Sequence, residues 1–151
     1  MASTIESINL TLQGMKDLLN DNASSIGDII GVYERDEYPQ VVLDTGKPAV
    51  YMLPMVNGSD VIDNTVGKSG ISYHEFPVEL VAFYRMNDVA EDLLTVREYG
   101  FNAYDLFKDN NNIAGGVFHN FEIEFGYFTV VDYIIHWWWL TIYVKKFVNI
   151  G

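Results

Sequence analysis

Cysteine is absent from all 151 residues, which excludes disulfides, thiolate metal sites, iron–sulfur clusters and a cysteine nucleophile. Positive charge is scarce. Nine Lys and Arg stand against 21 Asp and Glu, leaving a formal charge of −12 and a pI near 4.4. A general nucleic-acid binder needs clustered Lys and Arg to displace counterions from phosphate, and an anionic membrane surface attracts the same residues. Both functions are disfavoured. Long hydrophobic runs are also lacking: the most apolar stretch, Tyr133 to Val144, is 12 residues long and contains His136, short of the ~20 that span a bilayer. The N-terminus, Met1-Ala-Ser-Thr-Ile-Glu6, has neither the basic nor the apolar region of a secretory signal. What remains is 49% hydrophobic and 15% aromatic, too apolar for disorder driven by low hydrophobicity. The length suits one domain of the usual ~100–150 residues.

The patterning predicts two helices. Ser3 and Glu6 have capping-box spacing, and Ile5, Ile8, Leu12, Met15 and Leu19 then recur on one helical stripe. A helix is expected over about 4–20. Asp88 and Glu91 repeat the capping signature, and Val89, Leu93, Val96, Ala103 and Phe107 carry helical spacing to about Asp109, with an irregularity expected at Gly100.

Strands are expected at Ile29–Tyr33, at Ala49–Leu53 with Pro54 at its end, and within Ile71–Met86, clearest from Val78. Between the last two, residues 57–70 are polar and turn-rich, a loop of the length that usually serves function. The final third holds 15 of the 22 aromatic residues, at positions 99–151. There Phe121, Ile123 and Phe125 alternate with Asn120, Glu122 and Glu124, a half-buried strand with a wet face. From Gly126 the chain is expected to turn into a longer strand over about 133–148, apolar on both faces. Both faces must therefore be covered. The order predicts an α+β domain spanning residues 1–151: a mainly antiparallel sheet of about five strands, with two helices packed on one face. Those helices cannot also cover the second face of the 133–148 strand.

No nucleophile elbow, phosphate-cradling loop or zinc-protease helix occurs, and Gly115-Gly116 reads as a turn. His119 with Glu122 and Glu124 offers material for a metal or acid/base cluster. Regular strand alternation, however, sends His119 and Glu122 to opposite faces, so a solvated strand face is expected. His136 among tryptophans reads as a buried neutral imidazole with one partner, and His74 as the start of a strand. Asp60 and Asp63 lack the spacing and closing Glu of a calcium loop. Trp137-Trp138-Trp139 admits three readings: core on both sides of a sheet, a protein–protein interface, or a sugar-stacking platform.

The order of elements, with Gly31-Val-Tyr-Glu-Arg-Asp-Glu-Tyr-Pro39, Ala49-Val-Tyr-Met-Leu-Pro54 and Phe76-Pro-Val-Glu-Leu-Val-Ala-Phe-Tyr84, followed by the second helix and the C-terminal strand pair, resembles the tail terminator proteins of long-tailed bacteriophages. The resemblance covers nearly the whole chain. It implies a virion protein of the tail and neck, assembled in the host cytoplasm. It would form a homo-oligomeric ring, commonly of six copies, that caps the head-proximal end of the tail tube, ends tube polymerisation and joins the head-completion proteins. It implies no enzyme activity, no cofactor, no metal and no membrane. Genomic DNA would only pass through the channel. Six copies at −12 each carry −72, a charge that repels phosphates, although the same acidity also serves solubility. Under this reading Trp137, Trp139, Tyr143 and Phe147 are expected at the subunit interface. Asn57, Asp60, Asp63 and Lys68, in the long loop, are expected to touch the tail tube or a neighbour. The alternatives are a neck or head-completion connector, and a small-molecule or carbohydrate-binding domain using the Trp cluster.

Overall fold

The computed structural model describes residues 4–34, 40–54, 64–66, 71–86 and 89–149. The apolar stripe of the first segment forms helix α1 (Thr4–Asp21), which buries Ile8, Leu12, Met15 and Leu19. A short 3-10 turn (Ala23–Ile26) leads to β1 (Val32–Tyr33), much shorter than the expected Ile29–Tyr33 strand. A helix absent from the sequence expectation follows, α2 (Gln40–Thr45), and then β2 (Ala49–Pro54). β3 (Asn64–Val66) lies inside the expected long loop, and β4 (Ile71–Met86) is 16 residues long. α3 (Val89–Asp109) precedes β5 (Asn112–Ile113), β6 (Gly116–Val130) and β7 (Tyr133–Asn149). Ser3 and Asp88, and the side chain of Glu91, fall outside the described residues, so both expected capping boxes do as well.

The fold is α+β, as expected, but among the described residues the sheet has seven strands rather than about five and is mixed. Its order is β1-β2-β4-β7-β6-β5, with β3 pairing β4. β1 and β2 run parallel, joined through α2, and every other pair is antiparallel. β4 and β7 pair without interruption from Ile71↔Asn149 to Met86↔Ile134 and form the spine.

The chain does not turn at Gly126. β6 runs through it, and the turn comes at Val131 and Asp132, where Asp132 takes a left-handed φ of 70°. Gly126 is opposite Trp137, and a Cβ there would overlap the Trp137 indole, so the glycine serves a close approach rather than a bend. Gly100 likewise does not break α3. A Cβ at that position would come within 2.9 Å of Trp138 Cβ, so helix and sheet meet there closely.

α1 and α3 pack on one face of the sheet, as expected. With them lie Phe76, Val78, Leu80, Ala82 and Tyr84 of β4 and Trp138, Leu140, Ile142 and Val144 of β7, all buried. Burying an apolar side chain of this size contributes about 1.5–3 kcal/mol. Two of the aromatic polar groups inside are paired: Trp138 Nε1 donates to the Tyr84 hydroxyl (2.8 Å), which donates to the Ile26 carbonyl (2.7 Å). Burial pushes the Tyr84 hydroxyl well above its ordinary pKa, so it stays a neutral donor.

Among the described residues the second face is covered at one end only. There α2 brings Val42 onto Ala49, Tyr51, Val81, Phe83 and Ile135, and the Tyr51 hydroxyl accepts the Val41 N–H (3.1 Å). Thus α2 supplies part of the second cover that the two-sided apolarity of β7 demands.

Candidate functional site

Beyond the reach of α2, the second face of the sheet carries a group of side chains that no helix among the described residues covers. Cross-strand register defines it. Glu75, Pro77 and Glu79 on β4 stand opposite Lys145, Tyr143 and Thr141 on β7. His119, Glu122 and Glu124 on β6 stand opposite Tyr143, Thr141 and Trp139. Directly paired residues share a face, so four glutamates, His119 and Lys145 lie on one surface.

This corrects the expectation that His119 and Glu122 point to opposite faces. The register slips between His119 and Glu122, and Asn120 adopts a left-handed φ of 51°, a conformation in which Asn is enriched. The extra residue of this β-bulge returns His119 to the side of the glutamates while keeping Phe118 and Phe121 toward the helices. A bulge depends on the partner strand, and alternation within β6 alone does not reveal it.

Glu79, Glu122, Glu124, Trp139 and Thr141 line a recess of about 340 Å³. The Trp139 indole N–H donates to the Glu79 carboxylate. Partial burial raises the Glu79 pKa above its ordinary value, and the Trp139 hydrogen bond opposes that shift. Nearby, His119 Nε2 is 3.0 Å from Glu75 Oε1, ion-pair distance for a protonated imidazole, although the ring N–H is not aligned for a hydrogen bond. Among the described residues no set of three His, Cys, Asp or Glu side chains is placed to hold a metal ion.

The Trp triplet divides between the two faces. Trp138 is fully buried under α3. Trp137 and Trp139 are half-buried on the other side, edge-on to each other with centroids 6.4 Å apart. Tyr143 is half-buried beside His119, with centroids 6.1 Å apart. Phe147 pairs with Tyr73 in the β4–β7 ladder, and its side chain falls outside the described residues. Asn57, Asp60, Asp63 and Lys68 also lie outside them.

His136 is buried as expected, its ring tilted 37° to that of Tyr127 with centroids 5.6 Å apart, but its Nε2 has no hydrogen-bond partner among the described residues. His74 is buried within β4 rather than at its start, opposite Lys146. The sequence reading passed over Lys146. It is 2% exposed on the helix side, donating to Thr11 Oγ1 (2.8 Å) and to the Ala114 carbonyl, and burial lowers its pKa. Its place on the inward face of β7 was the one available signal.

No family model matches the chain, and a search of curated proteins finds no relative. No helix among the described residues is long and apolar enough to cross a membrane.

Proposed function

We propose that this chain is a structural virion protein, a tail terminator whose copies form a ring at the head-proximal end of a phage tail tube, six being the number the resemblance implies. One observation carries the reading: beyond α2 no helix among the described residues covers the sheet's second face, and Trp139 and Tyr143 lie half-buried on it. Aromatic anchors at the margin of a core are what a subunit interface completes. Trp137, Trp139, Tyr143 and Phe147 are assigned to that contact. Residues 57–70 are assigned to the tube or a neighbour on sequence grounds alone. The net charge of −12 suits a channel that genomic DNA crosses without sticking. The ring needs no chemistry, only positioning of the tail tube protein below and the head-completion proteins above.

The test is native mass and negative-stain microscopy of the purified protein, with and without isolated tail tubes. Rings, or caps on tube ends, are expected. Trp139→Ala and Phe147→Asp should remove the ring and leave a monomer that still melts cooperatively; loss of that melting returns these residues to the core. Binding to the portal instead of the tube would identify a neck connector. The Trp139 recess favours a competing reading, a carbohydrate or other small ligand stacked on the indole among carboxylates. A stable monomer that ignores tubes and changes its tryptophan fluorescence with sugar would select it.

A further inference from the structure

On one side the sheet ends in a long edge. β5 pairs only Gly116 and Val117 of β6, and the Phe118 N–H donates to the Asn111 carbonyl (2.9 Å). Past that point no described strand pairs the outer side of β6. From Glu122 to Val130 its ladder to β7 is regular, so nine residues, about 30 Å at ~3.3 Å each, turn unpaired N–H and C=O groups outward. Proteins guard such an edge with Lys, Pro, a bulge or a very short strand. Glu122-Ile-Glu-Phe-Gly-Tyr-Phe-Thr-Val130 contains no Lys or Pro, and the bulge at Asn120 comes before it.

The helix beside this edge is bare in the same direction. Phe101 of α3 packs on Phe125 of β6, with ring centroids 5.3 Å apart, yet stays 44% exposed. Leu94, two turns earlier on that flank, is 64% exposed, and Tyr127 of β6 is 48% exposed. An occupant must therefore bring a strand of about nine residues and an apolar helix flank together. The other outermost described strands, β1, β3 and β5, are two or three residues long. Among the described strands only β6 has the length, and α3 travels with it. A second copy of the chain meets both demands.

We propose that two copies join their β6 edges antiparallel about a two-fold axis at Gly126, merging their sheets. Gly126 is the middle of the regular stretch, so this register pairs all of it. Phe125 then faces Tyr127 of the other copy, Glu124 faces Phe128 and Glu122 faces Val130. Centring on Glu124 instead would oppose two like charges, which is destabilising. The helices fit the same axis. A Cβ at Gly100 would meet both Phe125 of β6 and Trp138 of β7, so α3 lies over the two strands. With strands ~4.8 Å apart, the two α3 axes fall about 10 Å from each other, a helix-packing distance. Leu94 of one copy then packs on Phe101 of the other. The contact is isologous and closes on itself, so it blunts the edge without propagating a filament. It is a property of the free chain, uses none of the residues assigned to the ring, and does not rest on the ring reading.

The test is sedimentation and hydrogen exchange of the full chain away from tail tubes. A dimer of twice 17.2 kDa is expected, in which outward amides of residues 123–130 are protected and lose that protection on dilution to monomer. Leu94→Lys and Tyr127→Lys are changes at exposed positions and should keep cooperative melting while weakening the dimer about tenfold or more. Trp139→Ala, which should remove the ring, should leave the dimer intact. In an equimolar mixture, Leu94→Cys and Phe101→Cys chains should cross-link with each other rather than each with itself. A wild type monomeric at millimolar concentration, association that leaves these amides exchanging as in the monomer, or a dimer indifferent to both Lys variants would overturn the contact. The tail-tube assay is a separate readout: a protein that caps tubes but fails here keeps the terminator reading and loses only the dimer, and a dimer that ignores tubes does the reverse.

Discussion

β7 presents two faces of nearly equal apolarity, yet they do different work. On one, Trp138, Leu140, Ile142 and Val144 are completely buried beneath α1 and α3. On the other, Ile135 is sealed by α2 and its surroundings, while Trp137, Trp139 and Tyr143 stay half-exposed beside four glutamates. Hydrophobic content thus says that a strand face needs cover, and the lengths of the helices say how much cover the described helices supply. α2 has six residues, about 9 Å at 1.5 Å per residue, too short to follow a 17-residue strand. The remainder is the candidate contact surface.

The comparison is broken most directly by two adjacent substitutions. Trp138→Ala should cost at least ~3–5 kcal/mol, the range for emptying a large core aromatic site, and it also removes the donor to Tyr84. Against a typical total of ~5–15 kcal/mol, chemical denaturation should find the domain barely folded. Trp139→Ala should cost no more than ~2 kcal/mol, within the ordinary range for single substitutions, and leave a cooperative transition. Equal losses would mean that the two faces are equally core.

Tyr84→Phe isolates the polar chain of the buried face. It leaves the Trp138 N–H and the Ile26 carbonyl without their partner, for ~1–3 kcal/mol. The pH dependence has a definite sign. The folded-state pKa of Tyr84 is raised, so the wild type holds this proton when folded and loses stability as pH climbs above the unfolded value near 10. In Tyr84→Phe that part of the alkaline loss should vanish, so the deficit measured by denaturation at pH 8 should narrow by pH 11.

The smallest effect is expected on the open face. Glu79 also has a raised folded-state pKa, so its share of stability grows as pH falls from neutrality through that raised value and levels off below 4.5. Glu79→Gln removes the burial of charge and should match or exceed wild-type stability at pH 7 by less than ~1 kcal/mol. The difference should disappear near pH 4. A destabilised variant at pH 7 would instead make the Trp139–Glu79 hydrogen bond the larger influence.

Much of this was legible from local pattern. Helical spacing located α1 and α3 within a residue or two, alternation located β2, β4 and β7, and the composition excluded thiol chemistry outright. α2 was not legible, because six residues between Pro39 and Gly46 are too few to display a period; the helix is held by Val42 in the second core and by the Tyr51 hydroxyl. Gly126 misled, because the same residue serves a turn or a close approach, and only the Trp137 indole lying against it distinguishes them. The acidic surface was half legible: Glu122 and Glu124 share a face by alternation, but their company with Glu75, Glu79 and His119 required strand pairing and a bulge.

The sequence by itself determined the helices and long strands, the acidity, and the need for cover on both faces of β7, because these follow from periodicity and charge along the chain. Tertiary structure alone decided which face α1 and α3 chose, where α2 stopped, which side His119 took, and that Lys146 would be buried. Each of those depends on a partner far away in sequence, and a residue's own neighbours in the chain carry no record of it.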